Sequence, residues 1–286
     1  PMIGGIAGLL VLSLLVLRYF TGFFLAGIYP VGMKIAAGWY RRGLGKALGY
    51  LVGALVVGTA FPHLLKSTSR SFPWQDVIVT ISGLAALGGV LILLLVPDGP
   101  HAVKGTKFNS KALAIIFRSK DLRSASFGYF GHMWELYALW AFFPIFIKAY
   151  GAAAGEILNV PFWSFAVIAA GFLGCAGGGH LSKKFGSPPV AFFQLLISGI
   201  CCLLSPLIFH AQAPIYFAFI LLWGITVVGD SPQFSALTAQ KAPAELVGSA
   251  LTIVTCIGFL ITIFSIQFAN YLFNFLATEY IFLFLI

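Results

Sequence analysis

Charge is what this chain of 286 residues has least of. Asp, Glu, Lys and Arg together make up 9% of it, whereas a water-soluble domain carries about 25%. Acid is scarcer still, with eight Asp and Glu against seventeen Lys and Arg. So few ions cannot cover a water-facing surface, which excludes an ordinary soluble domain. The four cysteines (Cys175, Cys201, Cys202 and Cys256) all lie within apolar stretches without CxxC spacing. They therefore read as small packing residues and indicate neither a disulfide framework nor a metal centre. Paired carboxylates, His pairs at i,i+4 and a Ser/His/Asp set are lacking as well, so the sequence offers no catalytic cluster, and neither an enzyme nor a cofactor site is expected. A formal net charge of +9 would suit nucleic acid, but the basic residues are scattered through short loops and form no basic face.

Apolar residues make up 60% of the chain, and its mean hydropathy is +0.99. A helix needs about 20 apolar residues to cross the hydrocarbon of a bilayer. Runs of that kind occur at 10–37, 44–65, 74–97, 124–148, 160–180, 188–210, 213–236 and 246–271, and a ninth begins near Glu279. Pro1 in place of Met, and an end inside "YIFLFLI", predict a piece of a longer chain. The solvent is lipid, and the fold class expected is an all-α polytopic helical bundle with eight complete spans.

Loop charge orients the spans. One alternating set of loops holds Arg41, Arg42, Lys46, Lys104, Lys107, Lys111, Arg118, Lys120, Arg123, Lys183, Lys184 and Lys241, and the other holds Lys66, Arg70 and Lys148. Twelve against three puts the first set in the cytoplasm, in a multi-pass protein of the plasma membrane (the bacterial inner membrane). The long basic connection 98–123 interrupts a rhythm of tight turns. Within it "SKALAIIF" is amphipathic enough to lie on the membrane surface, or else forms part of a solvated linker.

Two short patterns recur. "GIYP" (Gly27 to Pro30) is followed by "GKAL" (Gly45 to Leu48), and about 202 residues later "GDSP" (Gly229 to Pro232) is followed by "GSAL" (Gly248 to Leu251). Six spans separate the copies, so both run the same way through the membrane. Parallel six-helix repeats joined by a long central loop are a known architecture of secondary transporters. The expected organisation is 1–97 as the last three helices of a first six-helix bundle, 98–123 as linker, and 124–286 as a second bundle reaching the start of its last helix.

The stretch "RYFTGFFLAGIYPVGMKIAAGWYRRGLGKALG" resembles the fourth and fifth helices of major facilitator superfamily permeases, with Arg18 and Gly22 in the place of an Arg-x-x-x-Gly element. "GHLSKKFGS" is similar to the cytoplasmic Gly-x-Leu-Ala-Asp-Arg-x-Gly-Arg loop of that superfamily. Gly179, Leu181, Lys184 and Gly186 fit it, while Lys183 stands where the loop is acidic and Ser187 where it ends in a basic residue. The general flavour is nearest to bacterial permeases grouped with nitrate/nitrite porters, although the Asn-containing nitrate signature is missing from helices five and eleven. The resemblance implies alternating-access transport. The buried carboxylates Glu135 and Asp230 lead to the expectation that protonation of one of them couples transport to a proton gradient, the alternative being a facilitated uniporter. The partners implied are lipid, a small polar or anionic solute and protons, with no obligate protein partner. A channel would call for a repeated filter or rings of like charge instead.

Candidate pathway residues are the ionic and polar groups submerged in apolar runs, where a charge is costly and therefore functional by default. In "FGHMWELYALWAFFP", Gly128, Gly131, His132, Glu135, Leu139 and Phe142 share one helical stripe, which marks Glu135 and His132 as cavity-facing. "ITVVGDSPQFSALT" sets Thr226, Asp230 and Gln233 on one face beside Pro232, a residue that loosens a helix. The resemblance implies that Arg18 lies on the transport route. Gly45, Gly49 and Gly53 form a small-xxx-small ridge, as do the glycines of "GCAGGG" (Gly174 to Gly179), for close helix approach or a rocking interface. Gly22, Pro30, Pro232 and Gly248 complete the gating and packing set.

Overall fold

The computed structural model describes residues 2–40, 42–68, 73–101 and 111–286. Arg41, Arg70, Lys104 and Lys107, and the 102–110 part of the expected linker, lie outside the described residues. The described residues form eleven α-helices and no strand. These are α1 (Met2–Ala26), α2 (Tyr29–Trp39), α3 (Leu44–Thr68), α4 (Trp74–Leu95), α5 (Lys111–Arg118), α6 (Lys120–Ala154), α7 (Val160–Phe185), α8 (Ser187–Ile208), α9 (Ala213–Gly229), α10 (Ser231–Lys241) and α11 (Val247–Leu272). Among them eight spans are long and apolar enough to cross a membrane, from Val11–Trp39 to Ala244–Leu272. They correspond one for one to the eight apolar runs. The ninth run is a 3₁₀ segment, Thr278–Leu285, rather than the opening of an α-helix.

Hydropathy marks the hydrocarbon stretch, whereas capping decides where each helix stops. The run at 124–148 belongs to a 35-residue helix, about 52 Å long at 1.5 Å per residue, so α6 outreaches a hydrocarbon core of roughly 30 Å. Ser119 caps its start by accepting the Leu122 N–H, and Gly155 at φ 72° ends it in the left-handed conformation. Asn159 caps α7 in the same way through the Phe162 N–H. A single residue, Gly186 at φ 83°, joins α7 to α8. This turn favours glycine because a side chain is strained there.

Helices α6 to α11 pack round one another, and α2 and α3 lie against them. The most extensive pairing is α3 on α7, and there the two glycine ridges face each other. A methyl group on Gly49 would sit 2.5 Å from the Cys175 carbonyl oxygen, one on Gly53 would sit 2.8 Å from the Phe172 ring, and one on Gly179 would sit 2.9 Å from the Lys46 Cα. Small residues on both sides bring the two backbones together, as lipid-embedded helices require when dispersion is the main attraction. On its other side α7 meets α9 as closely, with Gly174 against the Ile225 carbonyl.

At the opposite end from the basic loops an aromatic core holds α6, α8, α9 and the 3₁₀ segment together. Phe282 of that segment stacks on Phe143 at 5.9 Å and meets Trp223 edge-on at 5.3 Å. Tyr150 lies flat on Tyr216, their centroids 3.5 Å apart. The amphipathic α5 buries Ile116 against the cluster around Leu122 and Tyr129, and leaves Leu113 and Phe117 exposed. By contrast, α1 exposes every described side chain, and α4 buries none of its described ones.

Candidate translocation site

The recurring Gly-x-x-Pro patterns prove to be helix breaks. The first span is interrupted at Gly27 and Ile28 and resumes as α2, with Pro30 in its first turn. The seventh is interrupted at Asp230 and resumes as α10, with Pro232 in its first turn. Proline brings no N–H and crowds the carbonyl four residues back. For Pro232 that carbonyl is Val228 O, and the Cys175 thiol of α7 donates to it at 3.4 Å. Pro206 in α8 vacates Cys202 O in the same manner, and Ser205 Oγ donates there at 2.8 Å. Both of these carbonyls have a side-chain donor, which suits the absence of water in the bilayer core.

The break at Asp230 faces His132 of α6. His132 Nδ1 and Asp230 Oδ1 are 2.8 Å apart and both side chains are buried, to 0% and 1% exposure. The contact has ion-pair distance but is not aligned as a hydrogen bond, and His132 Nε2 and Asp230 Oδ2 find no other partner. Burying polar atoms unpaired costs about 1–3 kcal/mol each. Packing alone would favour an apolar pair here, so the unsatisfied atoms call for another explanation.

The first break contributes Tyr29. It lies beside the same small space as Ser231, the residue that follows Asp230 at the other break. Tyr29, Tyr129, His132, Tyr137, Trp140 and Ser231 line a small space between α2–α3 and α6, α9–α10 and α11. Its volume is about 20 Å³, room for about one water molecule. The Tyr129 ring leans on the His132 ring, 5.7 Å centroid to centroid.

Glu135 does not line that space. One turn along α6 from His132 and about 60° round the helix, it turns toward α8 and α9. There its Oε1 accepts from Ser198 Oγ at 2.5 Å, Cys202 Sγ at 3.3 Å and Trp223 Nε1 at 3.3 Å. Three donors on one oxygen compensate a buried carboxylate and tie three helices together. The stripe expected on α6 therefore divides. His132 faces the cavity, Glu135 faces the neighbouring helices, Gly128 receives the Phe234 ring, and Gly131 is exposed.

Other expected residues disperse too. Thr226 is spent on its own helix, its hydroxyl bonded to Leu222 O and Trp223 O. Gln233 is fully buried and reaches across to Gly45 O of α3 at 3.5 Å. Arg18 is exposed on α1 and stands apart from the pair, as does Gly22, which has open space around it. Gly248 packs on the Lys34 stem. In the loop motif Gly179 is buried at the α3–α7 seam, Leu181 is exposed, and Lys184 lies over the Phe185 ring at 5.1 Å.

Sequence reasoning missed Tyr29, although it lies inside the repeated GIYP pattern. It also missed Ser198, Cys202 and Trp223, which are ordinary members of apolar runs until a carboxylate is found among them. Gln194 was missed as well. Its amide fills the space between Gly178 and Gly229 and donates to Gly174 O at 3.1 Å, while its Oε1 has no partner. A lone amide in "AFFQLLISG" was the available signal.

Eight apolar spans, two of them broken at matching positions around a buried polar pair, define a multi-pass membrane transporter. The family model described as the Major Facilitator Superfamily matches residues 2–266, and the chain belongs to that superfamily. Comparison with curated proteins finds no match.

Proposed function

We propose that this protein is a secondary active transporter in which the Asp230–His132 pair carries a proton coupled to the movement of a small polar or anionic solute. The reading rests on one observation, a buried and incompletely bonded acid–imidazole pair set at a helix break. Taking up or giving up a proton there changes the charge of the pair. The break, where Pro232 brings no N–H to the helix, is the part of it best able to respond. The His132 and Tyr129 groups beside the space suit a polar or anionic solute. Nitrate is not proposed, since its Asn-containing signature is missing.

Alternating access follows if residues 1–97 and 124–286 belong to two six-helix units that rock about the α3–α7 seam, with 98–123 between them and the basic loops in the cytoplasm of a plasma membrane. Glu135 then serves as the tie that holds α6 to α8 and α9, not as the proton carrier.

The test uses proteoliposomes holding a pH-sensitive dye and challenged with a panel of small carboxylates and polar solutes. Solute entry accompanied by a change in lumenal pH is expected for the wild type. Asp230→Asn and His132→Gln are expected to abolish the pH change, and Glu135→Gln to keep it. Solute entry with no pH change in the wild type, undisturbed by Asp230→Asn, would overturn proton coupling and leave a facilitated uniporter of the same fold.

A further inference from the structure

The walls of the small space beside the buried pair bear on the kind of solute that fits it. Among the described residues that line it there is no Lys, Arg, Asp or Glu. Arg18 stands apart on α1, and Asp230 pairs with His132 without forming part of the wall. An inorganic oxyanion would exchange its hydration shell for no fixed cation, and an organic cation would meet no carboxylate. Neither class suits this space.

The polar part of the wall comes from His132 and the two helix breaks. Nδ1 of that ring is 2.8 Å from Asp230, and Nε2 is buried with no partner. Tyr29 and Ser231 bring hydroxyl groups to the same space. One carboxyl group satisfies Nε2 with a single proton between them. A carboxylate accepts from the imidazolium N–H, or a carboxylic acid donates to the neutral ring, and the proton count is the same. The rest of the wall is aromatic and aliphatic. Tyr137 meets Trp140 at 5.5 Å and Phe259 of α11 at 5.4 Å, edge to face both times. Tyr137 follows His132 along α6 by about 7.5 Å, at 1.5 Å per residue, which is where a ring joined directly to that carboxyl would lie. Edge-to-face sets accept a further ring in the same geometry. Val52 and Leu55 add an apolar surface from α3.

Resting on the transport proposed through this site, we infer that the solute is an aromatic monocarboxylate, its carboxyl group at His132 Nε2 and its ring against Tyr137, Trp140 and Phe259. At about 20 Å³ the space is too small for such a solute until α2–α3 parts from α6 and α11. The rocking motion of the proposed transporter parts them and widens the space between the same residues.

Binding is measured by isothermal titration calorimetry on the protein in nanodiscs, with empty nanodiscs as the blank for partition into lipid. The probes are benzoate, cyclohexanecarboxylate, acetate, nitrate and benzyltrimethylammonium. Benzoate is expected to bind at least about tenfold more tightly than acetate, the effect of burying its ring. It should exceed cyclohexanecarboxylate by about 2- to 13-fold, the worth of one aromatic pair. Tyr137→Leu is expected to bring benzoate down to the cyclohexanecarboxylate level, and His132→Gln to weaken all three carboxylates. No benzoate binding, or nitrate, acetate, cyclohexanecarboxylate or benzyltrimethylammonium binding as tightly as benzoate, overturns the inference. That ranking is read on the wild type, so a variant that fails to fold leaves the test intact. Calorimetry needs no pH gradient, which separates the two readings. Benzoate binding and entry with no pH change in proteoliposomes would remove proton coupling and leave the solute class standing. Proton-coupled entry of acetate with no benzoate binding would do the reverse.

Discussion

Gly49→Ala puts the α3–α7 seam under a known load. The added methyl would lie 2.5 Å from the Cys175 carbonyl oxygen, where ordinary contact begins near 3.4 Å, so the two backbones must part by about 0.9 Å. The opposing atom is backbone and cannot swing aside. Overpacking of this kind costs about 1–3 kcal/mol. Charged to the closed arrangement alone, that shifts its population against an opened one by about 5- to 150-fold. Gly177→Ala supplies the control, since nothing lies within 4 Å of its added methyl. Cys175 supplies the reporter, being fully buried beside the seam with its Cβ 3.6 Å from the Gly53 Cβ position. In a Cys256→Ser background, which removes the exposed thiol, maleimide labelling of Cys175 is expected to rise at least several-fold in Gly49→Ala. The thermal midpoint should fall, and Gly177→Ala should change neither. If Gly49→Ala labels and melts like the wild type, the seam is not packed as described and the reasoning fails.

Two further substitutions separate holding roles from transport roles. Glu135→Gln keeps an acceptor oxygen for Ser198, Cys202 and Trp223 and should leave the melting temperature nearly unchanged, whereas Glu135→Leu strands those donors in a dry interior at about 1–3 kcal/mol each and should lower it strongly. Equal losses in both variants would mean that the charge, not the hydrogen bonding, holds the helices. Gly229→Ala drives a methyl to within 2.6 Å of the Gln194 amide, and Gln194→Ala clears that space. The double variant is therefore expected to be more stable than the sum of the single effects by about 0.5–3 kcal/mol in a thermal or denaturant cycle, and simple additivity would refute the contact.

On the proposed function, the buried pair gives the breaks their role. An unbroken helix at 213–241 would carry Asp230 with its backbone fully bonded, and a change of charge there would have little to move. With Pro232 withholding an N–H, the Val228 carbonyl accepts instead from the Asp230 N–H and from the Cys175 thiol, a weak donor. Gln194 sits against the same segment with one amide oxygen unsatisfied. The first break presents Tyr29 to the residue following Asp230, so the two interruptions meet across the small cavity instead of acting separately.

Hydropathy was enough to count and place the membrane spans, because crossing about 30 Å of hydrocarbon imposes a length and a composition that any window along the chain reveals. The GIYP and GDSP patterns were legible as a repeat, and proline chemistry made them legible as weak points. Both glycine ridges were visible too, since spacing of four on a helix needs no partner to be read. What the linear chain could not say was which faces meet. Glu135 and His132 are three residues apart and share a buried stripe, yet one serves the packing of α6 on α8 and α9 while the other opens on the cavity. That choice is made by Ser198, Trp223, Tyr29 and Asp230, which arrive from spans far away in sequence. Periodicity reports the direction of a side chain round its own axis. Only the packing of other helices against that axis decides whether the direction ends at a hydrogen-bond donor, a cavity or a lipid tail.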